Sequence, residues 1–176
     1  MTTARRAIAF LGLLAAALLG CAETPSTVAY NRGVDAYRAG DFAQARTEWA
    51  RSVEEGDPDA MNNLGYLWAR GLGGEADLAR AVALWERAAR LGQSESMLHL
   101  GVAYERGVGV AKDEAQAYAW YFCAVRNAEA GRGRDPAAEQ DVADDARRRL
   151  VDLVENLPAT RLDEARARAY DCRPRP

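Results

Sequence analysis

An internal repeat with a fixed period of 36 residues constrains this chain more than any other feature. The stretch AMNNLGYLWARGLGGEADLARAVALWERAARLG, from Ala60, superimposes without a gap on SMLHLGVAYERGVGVAKDEAQAYAWYFCAVRNA, from Ser96. Leu64 falls on Leu100, Gly65 on Gly101, Trp68 on Tyr104, Gly71 on Gly107 and Gly73 on Gly109. Asp77, Ala81, Trp85 and Ala88 fall on Asp113, Ala117, Tyr121 and Ala124. A period of this length marks a solenoid built from one repeated supersecondary unit. Leu64 and Trp68, four apart, share one helix face. Gly65 costs a helix ~1 kcal/mol but lets a second helix approach closely. Gly71 and Gly73 supply the positive φ that ends a helix and reverses the chain. Asp77 and Asp113 stand where they cap the next helix, and Ala81, Trp85 and Ala88 give that helix a buried stripe. A helical hairpin of this kind cannot bury its apolar faces alone and must stack. The expected fold class is all-α: an α-solenoid of stacked helical hairpins closed by C-terminal capping helices.

The pattern L-G-x-x-Y-x-x-G-x-G, then D-x-x-x-A-x-x-W/Y and A, resembles the Sel1-like repeat, and residues 60–127 follow it nearly throughout. Gly74, where the next unit has Val110, is a minor departure. An earlier unit from Val28 is similar to the related tetratricopeptide repeat in its shorter loop, with Gly33, Tyr37, Gly40, Asp41, Phe42 and Ala45 at that family's spacing. Arg32 stands where that family prefers leucine, which marks this first helix as a capping unit. The expected organisation is repeats over 27–130, in units of about 27–59, 60–95 and 96–130, followed by capping helices over 131–176. Within the latter, Asp135-Pro136 opens a helix to about Asn156, Leu157-Pro158 breaks it, and Thr160 caps a last helix from Arg161 to about Asp171. The count is about eight helices and no strand.

The N-terminus reads as an address. Arg5 and Arg6 precede an uninterrupted apolar-or-glycine run over 7–20, too short for the roughly 20 residues a spanning helix needs and suited to a signal peptide. Leu18-Leu19-Gly20-Cys21 resembles the bacterial lipobox, which implies cleavage before Cys21, lipidation of its thiol and of the new amine, and stable anchoring through two or more acyl chains. The alternative is ordinary cleavage that leaves Cys21 unmodified. The resemblance divides the chain into a lipoprotein signal peptide (1–20) and a lipidated cysteine with a short tether (21–26). Ala22 beside the cysteine implies the outer membrane of a Gram-negative envelope, facing the periplasm. In that oxidising compartment Cys123 and Cys172 are expected to pair. Their bridge would contribute roughly 4 kcal/mol and tie down a terminus that otherwise frays; the alternative is that they do not pair.

The composition excludes several function classes. There are 23 Lys+Arg against 26 Asp+Glu, two of the bases lie in the leader, and a mildly acidic chain without a basic cluster is a poor nucleic-acid binder. Arg147-Arg148-Arg149 reads as a solvated helix face, as do the neighbouring acids Glu54-Glu55 and Asp144-Asp145. His99 is the only histidine and fills the slot of Asn63 one repeat earlier, so it reads as a polar substitution, not a catalyst. No serine lies in a G-x-S-x-G or S-x-x-K frame, metal binding would need several spaced ligands, and Gly71-Leu72-Gly73-Gly74 follows a helix where a phosphate loop follows a strand. No catalytic residue, metal or cofactor is expected. Some cysteine-rich Sel1 proteins are linked to penicillin binding or hydrolysis; this chain lacks a cysteine pair in each repeat, so a β-lactamase-like hydrolase is a remote alternative.

By analogy with tetratricopeptide repeats, the functional surface is a groove lined by the first helix of each unit. Its expected slots are Tyr30, Val34 and Arg38; Asn62, Tyr66 and Arg70; and Leu98, Val102 and Arg106. Tyrosine and arginine often dominate interfaces. The reading is a non-catalytic, membrane-anchored envelope scaffold that binds a protein or peptide, with cell-wall glycan or muropeptides as the alternative ligand.

Overall fold

An oxygen-bearing side chain stands at nearly every point where a helix begins. The computed structural model describes residues 24–131 and 133–169. The leader, Cys21 and Cys172 lie outside the described residues. Thr24 caps α1 (Pro25–Arg38), Asp41 caps α2 (Phe42–Glu54) and Asp57 caps α3 (Pro58–Arg70). Asp77 caps α4 (Leu78–Arg90), Gln93 caps α5 (Ser94–Arg106) and Asp113 caps α6 (Glu114–Glu129). Asp135 caps α7 (Pro136–Asn156), and α8 (Ala159–Ala169) ends the described chain. In each capped case the side chain accepts from backbone N–H groups that the helix itself leaves unpaired. The eight described helices include no strand between them.

The helices pair as α1·α2, α3·α4 and α5·α6, and the second helix of each pair packs on the first of the next. What closes each hairpin is one contact repeated three times. A Cβ placed on Gly33 would lie 2.4 Å from the Trp49 ring, one on Gly65 2.6 Å from Trp85 Nε1, and one on Gly101 would fall inside the Tyr121 ring's contact distance. An aromatic side chain of the second helix thus lies flat on bare backbone of the first. In the first two units the indole also donates to the carbonyl three residues before the glycine, Trp49 to Tyr30 at 3.2 Å and Trp85 to Asn62 at 3.3 Å. Neighbouring units meet through the loop glycines. Gly73, at φ 77°, lies against the Phe42 backbone, and Gly109, at φ 75°, lies against that of Leu78. Both pairs keep the 36-residue register.

The C-terminal helices continue the stack. Both α7 and α8 pack on α6, and α7 also touches α5. Ser94, at the start of α5, donates to Glu139 at the start of α7, while Arg149 further along α7 donates to Glu105 near the end of α5. The two helices therefore run in the same direction, and α7 occupies the place of the first helix of a further unit. Tyr121, fully buried, replaces tryptophan in the third unit and donates its hydroxyl to the same Glu105. Arg149 is thus a tertiary link and not part of a solvated face, a correction to the expectation for the 147–149 run. Arg161 and Arg168 of α8 pair with Asp113, the cap of α6, at 3.4 and 2.7 Å.

Four boundaries differ from the sequence reading. The first helix begins at Pro25, before Thr27, because Thr24 supplies the cap. The last begins at Ala159, so Thr160 lies inside it. There the Pro158 carbonyl accepts from Arg161 and Leu162, and the preceding proline starts the helix without a threonine cap. The second and third hairpins start at Pro58 and Ser94, two residues before Ala60 and Ser96.

Gly65→Ala tests the hairpin contact. Alanine gains ~1 kcal/mol of helix propensity, but overpacking against the indole costs about 1–3 kcal/mol. Because this indole is itself hydrogen-bonded, the loss dominates, and the urea midpoint is expected to fall by an amount worth about 1–2 kcal/mol.

Candidate functional site

With one face of each first helix held under an aromatic ring, other faces of α1, α3 and α5 remain to form a surface. There a cavity of about 350 Å³ is lined by Val34, Tyr37 and Arg38 of α1, Trp49 of α2, Asn62, Asn63 and Tyr66 of α3, and Glu95 of α5. Tyr37 is 37% exposed and meets Phe42 edge-on at 5.4 Å and Trp49 at 5.7 Å. The Arg70 guanidinium lies 5.7 Å from the Tyr66 ring centre. A second cavity of about 120 Å³ shares Asn62, Asn63 and Glu95 and adds Tyr30, Asp59 and Gln93, together with Arg134, Asp135, Ala138, Glu139 and Val142 from the start of the C-terminal segment.

Asn62 holds the junction of the two cavities. Only 3% exposed, it donates to Glu95 at 2.8 Å and accepts from Ser96 at 2.9 Å. The Glu95 carboxyl is held above its usual range, first by burial and then by the charges of Asp59 and Glu139, against the Asn62 hydrogen bond. Asp59 is raised as well, first by burial and also by Asp57, although Arg134 opposes this. Carboxylates gather where the two cavities meet, and Arg134 pairs with Asp57 and Asp59 there.

His99 sits beside this junction. Its ring centre lies 4.7 Å from Trp85 and 6.5 Å from Tyr66, and Nε2 is 3.9 Å from Glu95. Burial lowers its pKa to about 4, so the imidazole is neutral at pH 7 and works as a packing surface.

Of the nine expected groove residues, Val34, Arg38, Asn62 and Tyr66 converge on the larger cavity and Arg70 stacks beside it. Tyr30 lies in the smaller one, with the Arg134 guanidinium 4.3 Å over its ring. Leu98 and Val102 do not stand in an open groove. They pack against a core cluster that includes Val142, Ala143 and Ala146 of α7, which takes the place of the next first helix. Arg106 is exposed at the end of α5 and lines neither cavity. Sequence reasoning did not select Tyr37, Asn63, Glu95 or Arg134. Asn63 and His99 share a repeat slot beside the selected Asn62 and Leu98, a signal that could have found them. Arg134 belongs to no repeat, and only the return of the chain brings it near.

Cys123 is buried on α6 among Tyr121 and Ala124. The last described residue, Ala169, lines a cavity with Tyr118, Phe122 and Arg126 of that helix. Among the described residues no group of three His, Cys, Asp or Glu could hold a metal ion, and no helix is long and apolar enough to cross a membrane.

His99→Asn, the residue used one repeat earlier, tests the imidazole's environment. With a folded pKa below the unfolded 6.5, the native state binds fewer protons than the unfolded chain between about pH 6.5 and 4, and stability falls as pH falls through that window. The urea midpoint of the variant is expected to decline less over that range than that of the unaltered chain.

A family model for the Sel1 repeat matches residues 58–93 and 94–128, the two hairpins that start at Pro58 and Ser94. Comparison with curated proteins gives no match. Among solved structures, a protective antigen of uropathogenic Escherichia coli strains, described as displaying an SLR fold, superimposes with a TM-score of 0.72 at 24% identity over 89% of this chain. A Sel1 repeat protein from Oxalobacter formigenes superimposes with a TM-score of 0.60 at 27% identity over 81% of it. The chain spans 30% of the first structure and 55% of the second. These likenesses establish the repeat solenoid.

Proposed function

Because this chain carries two Sel1 repeats, a type that commonly mediates protein–protein interaction, we propose that it is a non-catalytic scaffold of the bacterial envelope that holds a protein partner against its first helices. The observation that carries this reading is the larger cavity. Tyr37, Tyr66 and Trp49 give it aromatic contact area, and Arg38 and Arg70 stand at its edge. Aromatic and arginine side chains grouped in one recess are what protein interfaces use as anchors. A second reading, muropeptide or cell-wall glycan binding, is favoured by the amide of Asn63, which lines both cavities. It is weakened at Asn62, whose amide is taken up by Glu95 and Ser96.

In this proposal Cys21 bears the lipid and anchors the scaffold in the outer membrane, facing the periplasm. With α1 starting at Pro25, only Ala22, Glu23 and Thr24 separate the anchor from the first helix, at most about 10 Å of extended chain. The groove would work close to the bilayer. A Cys123–Cys172 bridge belongs to the same proposal. Its support is the packing of α8 on α6, which brings the end of α8 to the helix that carries Cys123.

Two measurements test these points. Replacing Tyr66 and Arg70 together by alanine is expected to abolish capture of crosslinked envelope partners while the melting temperature stays within a few degrees. Capture that persists, or sedimentation of the unaltered chain with purified cell wall in its place, would move the function elsewhere. Intact-mass analysis of the membrane-extracted chain, alkylated without reductant, is expected to show a start at Cys21 with added diacylglyceryl and acyl mass and no alkylated cysteine. An unmodified Cys21, or two alkyl groups, would sink the corresponding part.

A further inference from the structure

The groove is electrically ordered. Arg38 and Arg70 stand at one end, Val34, Tyr37 and Tyr66 form the middle, and Glu95 leads at the other end into the smaller cavity with Asp59 and Glu139. Glu95 and Glu139 accept from the neutral donors Asn62 and Ser94. Among the described residues, the one cation lining the smaller cavity is Arg134, from the loop that follows the last repeat. Its Nη2 donates to Asp57 at 2.9 Å, its Nε lies 2.8 Å from Asp59, and its plane covers Tyr30.

Arg134 has the marks of an occupant more than of a pillar. Half of its side chain is exposed. Asp57, its buried partner, does not depend on it, because it already accepts from the backbone N–H groups of Asp59 and Ala60 and from the Ser52 hydroxyl. A guanidinium stacked on an aromatic ring and paired with two carboxylates is how a protein surface receives an arginine. Here the arginine comes from the chain itself.

We infer that the groove takes an extended segment of a partner protein in which an apolar or aromatic side chain lies one to four positions from an arginine or lysine, and that Arg134 is the chain's own stand-in for that cation. This rests on the scaffold reading above and names its partner's chemistry. The apolar side chain enters between Val34, Tyr37 and Tyr66. The cation competes with Arg134 for Asp59 and reaches Glu95. The bases at the far end and the acids at this one fix the direction of the segment, since like charges brought together oppose the reverse orientation.

The test uses the full chain in detergent micelles, panned against a random dodecapeptide library. Selected peptides are expected to carry an apolar residue with an arginine or lysine one to four positions away. A synthetic peptide of that consensus is expected to bind Arg134→Gln three- to tenfold tighter than the unaltered chain, Arg134→Lys with near-unaltered affinity, and Glu95→Gln at least fivefold weaker. Circular dichroism and melting temperature report whether each variant folds; should Arg134→Gln fail to, the Glu95→Gln comparison and the selected sequences decide. Selected peptides that lack a base, or an affinity that is unchanged or lowered in folded Arg134→Gln, would overturn the inference. If such peptides still lose binding in Tyr66→Ala, the scaffold reading stands without it. If no peptide is selected, this inference falls, and the scaffold reading is judged separately by the crosslinked capture and its dependence on Tyr66 and Arg70.

Discussion

The structure depends on a flat aromatic ring laid on bare helix backbone. At Gly33, Gly65 and Gly101 any larger residue would overlap the ring of Trp49, Trp85 or Tyr121. That contact sets how closely the two helices of a unit approach, and so where every other side chain of the unit points. A ring of this size buries roughly 150–250 Å², worth about 4–6 kcal/mol at ~25 cal/mol/Å², which outweighs the ~1 kcal/mol a glycine costs its helix. In the first two units the indole N–H also finds a carbonyl three residues before the glycine, so a buried donor is satisfied by the same geometry.

The third unit breaks this rule in an instructive way. Tyr121 has no indole N–H, and its hydroxyl reaches Glu105, where Arg149 of α7 also arrives. The change from tryptophan to tyrosine occurs where the repeats give way to the closing helices. Its polar tip creates an attachment point for the helix that covers the end of the core. The cap in turn removes Leu98 and Val102 from the groove and leaves the open part of the surface to the first two units. Closing the solenoid and limiting its groove are therefore the same event.

The same return of the chain gives the groove its electrostatic character. The repeats alone would leave Asp57, Asp59 and Glu95 without a cation beside them. The loop ahead of α7 carries Arg134 across to the first helices, while Glu139 adds a further carboxylate. An aromatic recess next to an acidic one follows, and it arises between segments far apart in sequence.

The sequence by itself determined the solenoid. Leucine, glycine, aromatic and aspartate positions at a 36-residue spacing specify helix faces, close approach, reversal and cap, and each of these is a local property or one shared by adjacent helices. It also determined the helix starts capped by Asp77, Asp113 and Asp135, because a cap needs only a side-chain oxygen two or three residues from the N–H it satisfies. Only the tertiary structure decided which first-helix residues remain open. Tyr30 and Leu98 share a repeat slot with Asn62, and Val102 shares one with Val34 and Tyr66, yet Arg134 covers Tyr30 and the α7-side core takes Leu98 and Val102. A repeat register describes contacts between neighbouring units, and it carries no information about a non-repeating segment that folds back over them.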